Sequence, residues 1–379
     1  MAKQLDILAL EPYHGGARRA MLEAISRCSR HRWTLLKLPA RRFERRQLVA
    51  ATWFAEVLSR NGVGKVDVVF SSEALNLADF FRLRPDLGRR PSVVYFHDNQ
   101  LPEIDAAAEQ GDRPTDLVNL NSATAASEIW FNSLYNLRTF LSRASGLVAR
   151  HPELRMRDPM RGLAAKAHLV PPPIDLGAMH DQMASSQAPA AAGRDPRSLL
   201  LDARGADHAV VSEALATLAA RRERMELTVI GRVKGMPAAL RPITLDERDD
   251  GAHLRTLLRS SVLVSARPNA THDDLAVRAL GSGCHPIVPN TGIYPALLPE
   301  PLHGPCLHDG TAESITARVL DAWYLERPTG LEFLLDEILS PFDAIRACKV
   351  IDERLEKLVP TPAPSLRVSS RVRKTVQTV

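Results

Sequence analysis

The chain has 379 residues, of which 45% are hydrophobic and 25% charged, and it carries a formal net charge of +5. This length suffices for two domains with a core each, and no apolar stretch approaches the roughly 20 residues of a membrane-spanning helix, so we expect a cytoplasmic protein with no membrane span. The four cysteines are scattered without a C-x-x-C pair, which argues against a disulfide framework or a structural zinc site.

The first half of the chain alternates short strands with helices. A strand at 4–10, "QLDILAL", precedes a helix at 17–30 whose apolar residues Met21, Leu22 and Ile25 have helical spacing. Such alternation predicts a parallel sheet covered on both faces. Further strands are predicted at 31–39, 66–72, 92–97, 129–133 and 167–175, and further helices at 46–60, 74–83, 117–128 and 134–144.

A predicted linker at 179–197 loses periodicity and gathers Ala, Ser, Pro and Gly. The alternation then resumes, so we predict an α/β protein made of two facing, doubly wound parallel-sheet domains. The second half has predicted strands at 198–204, 225–231, 262–267 and 285–290, and helices at 209–224, 253–261 and 273–283. The predicted units are a first domain at 1–178, a second at 198–340, a closing helix at 341–359 and a disordered basic tail at 360–379.

Polar side chains follow the strand predicted at 92–97. The apolar start of "VVYFHDNQLPE" is typical of a buried strand, and it ends in His97, Asn99 and Gln100. Ligands of open parallel sheets bind outside the carboxyl ends of strands, so these residues are candidates for a pocket. The alternative is that they cap a helix or bond to loop backbone. Further polar side chains, which suit a polyhydroxyl ligand, lie near other strand ends: His14, Asn76, Asn119, Ser122 and Asn132.

Two adjacent glycines, Gly15 and Gly16, lie between the first strand and the first helix. Residues without Cβ let backbone amides approach a phosphate or a sugar, although ordinary turn geometry explains the pair as well. The spacing is neither G-x-G-x-x-G nor a Walker loop, and no nucleophile elbow or His-Glu-x-x-His helix is present. The sequence therefore argues against dinucleotide binding and against those hydrolase classes.

Arginines concentrate in "ARRFERRQ" and in the carboxyl-terminal tail. Such clusters suit a polyanion, but a solvated helix face and a disordered basic end also explain them and are the more common cause. The candidate RNA contacts are Arg41, Arg42, Arg45 and Arg46.

Taken together, several motifs resemble a known family. In order along residues 6–141 the chain contains "EPYHGGARRAMLE", "LPARR", "WFAE", "SSEALNLADFFRLRPDLG", "VVYFHDNQL" and "NSATAASEIWFNS". This order resembles the amino-terminal domain of the tRNA-queuosine α-mannosyltransferase family, which belongs to the retaining GT-B glycosyltransferases. Weaker similarities follow in "GSGCHPIVPNTGIYPALLPE" at 281–300 and in the "SPF" that opens the closing helix.

The resemblance implies a GT-B pair of Rossmann-like domains, with the acceptor side first and the donor side second. It implies GDP-mannose as donor, queuosine in a tRNA as acceptor, and no metal or other cofactor, because helix dipoles and basic side chains offset the leaving diphosphate. By the same resemblance, Gly15 and Gly16 approach the donor. His97 is then the catalytic candidate that hydrogen-bonds the sugar or the reacting centre, with Asn99 and Gln100 shaping the pocket.

The second domain departs from the family pattern where the family holds the donor sugar and ribose. Counting back from Gly283, Asn269 and Ala270 stand where the family has His-Glu, and Arg278 replaces a second glutamate. Asp273 and Asp274 lie nearby, but we expect the helix to turn them in another direction.

The diphosphate-binding basic pair of the family is also incomplete. Arg204 matches its arginine and is a donor-binding candidate, whereas Ala209 stands where the family has lysine. Where the family has a glycine followed by an acidic residue, this chain has Gly231 followed by Arg232. Arg232 and Lys234 are therefore candidates to replace the positive charge of the missing lysine.

Three hypotheses follow. The first is an active glycosyltransferase with a rearranged donor site. The second is a catalytically impaired relative that binds RNA or sugar, and the third is another GT-B activity such as phosphorylase or epimerase chemistry. Acids and cations retained in the second domain favour the enzyme, and their loss favours the binding module.

Overall fold

The computed structural model describes residues 4–101, 115–150, 159–177, 179, 181, 194–221, 224–324 and 332–359. Most of the predicted linker and the whole predicted tail lie outside these residues, so the predicted domain boundaries stay predictions. No helix in the described ranges is both long and apolar enough to cross a membrane.

The first sheet has six parallel strands in the order β2-β1-β3-β4-β5-β6. The strands are β1 (Asp6–His14), β2 (Arg32–Pro39), β3 (Val68–Ser72), β4 (Ser92–Phe96), β5 (Glu128–Phe131) and β6 (Ala167–Leu169). Its helices are α1 (Gly16–Cys28), α2 (Phe43–Asn61), α3 (Leu77–Leu83), α4 (Asp116–Ala125), α5 (Leu134–Arg150) and α6 (Pro159–Ala165). Strand β6 ends earlier than predicted because the prolines that follow from residue 171 have no N–H to donate to a ladder.

The second sheet also has six parallel strands, in the order β12-β11-β10-β7-β8-β9. These are β7 (Ser198–Asp202), β8 (Glu226–Ile230), β9 (Ile243–Leu245), β10 (Val262–Ser265), β11 (His285–Pro289) and β12 (Leu307–His308). The helices are α7 (His208–Ala220), α8 (Asp250–Arg259), α9 (Asp274–Ser282), α10 (Tyr294–Leu297), α11 (Glu300–Cys306), α12 (Ala312–Tyr324), α13 (Glu332–Leu339) and α14 (Ala344–Leu358). Neither edge strand was predicted, because β9 has only three residues and β12 only two.

Apolar cores cover both faces of the first sheet, as parallel sheets require. Strands β3 and β4 are buried at every residue. Because side chains alternate along a strand, Leu8 and Leu10 pack under α2 and α3 on one face, whereas Ile7 and Ala9 pack under α1 on the other.

The carboxyl-terminal helix α14 packs on the first sheet. Its buried residues Cys348, Ile351 and Leu355 share a core with Ile7 of β1. The predicted start of this helix at 341 is wrong, since 340–342 form a 3₁₀ turn and α14 begins at 344. The break lies at Asp343, whose carboxylate accepts the backbone N–H of Arg346 at 3.1 Å as an N-cap.

Candidate active site between the two sheets

A cleft with a volume of about 480 Å³ lies between the two sheets. Residues from the start of α1, α8 and α9 line it, together with loops that follow β4, β7 and β10. Free N–H groups and the helix dipole make helix amino termini favourable for anions. The charged and histidine side chains along the cleft are Arg18, Arg204, Arg267, Arg278, Asp98, Asp250, Asp273, Asp274, His97, His253 and His272.

The two glycines after β1 are required for different reasons. A Cβ on Gly15 would lie 2.5 Å from the Cβ of Ala40, so Gly15 allows the close approach of two loops and is not among the cleft-lining residues. Gly16 has φ of +52° and no atom within 4 Å of an added Cβ, and it lines the cleft. The open space beside Gly16 is therefore where a ligand could approach the backbone.

His97 follows β4 directly and is only 7% exposed. Its carbonyl accepts hydrogen bonds from Asn132 Nδ2 at 2.7 Å and from Thr271 Oγ1, which belongs to the second domain, at 2.9 Å. Its Nδ1 is buried and has no hydrogen-bond partner among the described residues. Burial, aided by nearby Arg18 and His272, lowers the pKa of His97 well below its usual value. The imidazole is therefore neutral at physiological pH.

A buried charge cluster beneath His97 was missed by the sequence analysis. The carboxylate of Glu73 pairs with Arg18 and accepts the backbone N–H groups of His97 and Asp98, both at 3.3 Å. Glu11 is also buried, and its carboxylate accepts the N–H of Tyr13 at 2.7 Å. Burial raises the pKa of Glu11 to about 7 even though Arg18 opposes the shift. The cluster holds Arg18 and the loop after β4 in place.

The amides predicted to shape the pocket bond to neighbouring parts of the first domain. Asn99 Nδ2 donates to Asn136 Oδ1 at 3.0 Å, and Asn119 Oδ1 accepts the N–H of Gln100 at 2.8 Å. The Asn119 bond fits the alternative in which these side chains satisfy loop backbone, whereas Asn99 bonds to a side chain of α5. Among the predicted pocket residues, the cleft lining includes Asn132 but not His14, Asn76, Asn99, Gln100, Asn119 or Ser122.

Two of those residues have specific structural partners. The Asn76 side chain caps α3 by accepting the N–H of Asp79 at 3.2 Å. The Ser122 hydroxyl donates to the carbonyl of Leu75 at 2.9 Å and accepts the N–H of Leu77 at 3.0 Å. Both therefore fasten the start of α3.

Arg204 lies at the end of β7 and forms two 2.8 Å hydrogen bonds to the carboxylate of Asp202, which is fully buried. The bidentate pair fixes the guanidinium at the cleft. Arg267, which follows β10, is a further cleft cation that the sequence analysis missed. The residues proposed to compensate for the missing lysine, Arg232 and Lys234, are not among those that line the cleft.

Asp273 and Asp274, which we expected to point in another direction than the family glutamates, both line the cleft. They lie at the very start of α9, where Asp273 is the N-cap. The Asp273 carboxylate is occupied, because it accepts from Ser265 Oγ at 3.0 Å and from the Tyr294 hydroxyl at 2.8 Å. Asp274 instead bonds to His272 Nε2.

The basic cluster around the start of α2 lies apart from the cleft lining. Arg41, Arg42 and Arg45 are exposed and Arg46 is half-buried. Their RNA contacts stay a prediction.

Solved structures with similar topology define the fold class of this chain. A glycosyltransferase from Rickettsia africae superposes with a TM-score of 0.62 at 11% identity, over 94% of this chain and 99% of that one. HepE from Anabaena, solved in complex with UDP, gives a TM-score of 0.58 at 14% identity, over 93% and 100%. Two facing parallel sheets with a cleft between them give this chain the GT-B fold of glycosyltransferases, as predicted.

Sequence comparison shows which family the first half of the chain resembles. Residues 6–174 match the family described as tRNA-queuosine alpha-mannosyltransferase N-terminal. A tRNA-queuosine alpha-mannosyltransferase from Drosophila melanogaster is 24% identical over 312 residues, which are 78% of this chain and 82% of the relative. Residues 6–174 thus resemble the amino-terminal domain of the tRNA-queuosine alpha-mannosyltransferase family, and the similarity to the Drosophila relative extends over most of the chain.

Proposed function

We propose that this protein is a glycosyltransferase that moves a hexose from a nucleotide sugar to an acceptor hydroxyl. The observation that carries the proposal is the cleft itself, in which arginines and helix amino termini surround the neutral, buried His97. The finer assignment, mannose from GDP-mannose to queuosine in tRNA, is supported by the family of the first domain and by the Drosophila relative.

The charge pattern of the cleft suits the leaving group of this reaction. When the acceptor oxygen bonds to the anomeric carbon, the bond to the phosphate oxygen breaks and a nucleoside diphosphate leaves with the electron pair. Fixed cations such as Arg204 and Arg267, and the start of α1, which has no side-chain cap, would stabilise that developing charge. His97, being neutral, would serve as a hydrogen-bonding group for the sugar rather than as a cation.

A second candidate function is a non-catalytic RNA- or sugar-binding module. The observation that favours it is the absence of carboxylates at Ala270 and Arg278, where the family carries glutamates. In this case the first domain would still bind its ligand, but the second would not hold a nucleotide sugar.

Calorimetry with GDP, UDP, GDP-mannose and UDP-glucose separates the two candidates. The enzyme is expected to bind at least one nucleotide, and Arg267→Ala should weaken that binding about tenfold or more, the size of a lost charge-assisted contact. Arg259→Ala, at the exposed far end of α8, is the matched control and should change nothing. Absence of nucleotide binding at millimolar concentration, with tRNA binding retained, would favour the binding module.

Transfer itself is measured with labelled nucleotide sugar and tRNA that contains queuosine, with tRNA lacking queuosine as the control. His97→Ala is expected to abolish transfer or sugar binding while the melting temperature stays close to that of the unsubstituted protein. A collapsed melting temperature with unchanged sugar binding would assign His97 a structural role only.

A further inference from the structure

A histidine-aspartate pair lies at the start of α9, on the second domain's side of the cleft. His272 is 8% exposed and its Nε2 bonds to the carboxylate of Asp274, the first residue of the helix. The other side of the His272 ring packs near Phe342 of the 3₁₀ turn, with ring centroids 5.7 Å apart. The imidazole is therefore fixed both by a hydrogen bond and by packing.

The Asp274 carboxylate determines which ring nitrogen carries hydrogen. Burial alone would raise the pKa of Asp274, but the hydrogen-bonded His272 and the nearby Arg278 outweigh burial and lower it to about 2. An ionised carboxylate can only accept hydrogen bonds, so Nε2 of His272 carries the hydrogen. In the neutral ring, Nδ1 then offers a lone pair.

That lone pair has no partner among the described residues, since His272 Nδ1 is buried without a hydrogen bond. An unsatisfied buried acceptor is costly, which is why native proteins rarely keep one. His97 has the same feature at its own Nδ1, and Thr271, the neighbour of His272, bonds to the carbonyl of His97. Two unpartnered imidazole nitrogens, one from each domain, thus belong to side chains that line the same cleft.

We propose that His272, held by Asp274, accepts a hydrogen bond through Nδ1 from a hydroxyl of the hexose in the cleft. This inference rests on the proposed function, because the hexose is that of the nucleotide sugar. It also explains how this chain recognises a sugar without the two family glutamates. Arg278, at one of those positions, lies close enough to Asp274 to stabilise its ionised form.

The test compares the affinity for a nucleotide sugar with that for the bare nucleoside diphosphate, because the difference reports the contacts to the sugar. For the unsubstituted protein, His272→Ala, His272→Asn and Asp274→Asn, calorimetry gives the Kd of the nucleoside diphosphate and of the matching nucleotide sugar. His272→Ala is expected to weaken nucleotide-sugar binding about tenfold or more and to leave the bare diphosphate unchanged. His272→Asn, whose amide oxygen can take the place of Nδ1, should recover part of the loss.

Asp274→Asn tests the positioning role. An asparagine amide can donate to Nε2 and so favours hydrogen on Nδ1, which should weaken nucleotide-sugar binding while diphosphate binding persists. An unchanged ratio of the two Kd values in His272→Ala and Asp274→Asn would overturn this proposal and leave the proposed function standing. If the unsubstituted protein binds no nucleotide at all, the proposed function fails and this inference fails with it.

Discussion

Thr271 donates a 2.9 Å hydrogen bond from its hydroxyl to the main-chain carbonyl of His97. The bond joins the second domain to the first at the same residue whose ring nitrogen lacks a partner. The bond therefore connects the segment just before α9 directly to the residue that follows β4.

The packing of α14 on the first sheet predicts a large and local stability effect. Ile351 is fully buried, so Ile351→Ala should lower the free energy of unfolding by about 2–5 kcal/mol through lost burial and a residual cavity. Ile345 on the same helix is 75% exposed, and Ile345→Ala should change the free energy of unfolding by less than about 0.5 kcal/mol. Urea unfolding of both variants checks this, and equal losses would contradict the packing described for α14.

The two glycines should respond differently to alanine. Gly15→Ala places a Cβ against Ala40 and should cost about 1–3 kcal/mol, most of which Ala40→Gly in the same chain should restore. Gly16→Ala should cost about 1–2 kcal/mol because of its positive φ, and Ala40→Gly should not rescue it. Chemical unfolding of the single and double variants separates the two causes, and rescue of both variants would refute the distinction.

The buried Glu11 predicts an unusual dependence of stability on pH. Its pKa is raised from 4.5 to about 7, so between these values the unfolded chain releases the proton while the folded protein keeps it. The free energy of unfolding should therefore fall as pH rises from about 4.5 to 7, by about 2–3 kcal/mol from this group. Glu11→Gln, which cannot ionise, should remove that part of the fall.

Unfolding of both proteins at pH 5 and pH 8 measures this difference. Relative to the unsubstituted protein, Glu11→Gln should have a higher free energy of unfolding at pH 8 than at pH 5. If the free energies of unfolding of the two proteins differed by the same amount at both pH values, Glu11 would be ionised throughout the range.

The exposed arginines before and within α2 give a test of RNA binding. If they contact phosphates, Arg41→Ala with Arg45→Ala should weaken tRNA binding and reduce the slope of log K against log salt by about 0.7–0.9 per lost contact. Arg89→Ala with Arg90→Ala removes two other exposed arginines of the same domain and should leave the slope unchanged. Equal slopes for the two double variants would mean that the α2 cluster is only a solvated surface.

Much of the fold follows from local patterns. Continuous apolar runs such as "SVVYF" predict strands buried on both faces, and helical spacing of apolar residues predicts the helices between them. Strands as short as β9 and β12 carry too little pattern to be recognised, and the break before α14 depends on a capping bond at Asp343.

The sequence by itself determined the alternation of strands and helices, the resemblance of the first domain to a known family and the position of His97 at a strand end, because each depends on residues close together in the chain. Only the tertiary structure decided that Glu11, Arg18 and Glu73 form one buried cluster, that Arg267 joins the cleft and that His272 comes opposite His97. These contacts bring together residues that are far apart in the sequence, such as His97 and His272, which are separated by 175 positions. Contacts of that kind are set by the packing of two sheets around a cleft, and no local spacing encodes them.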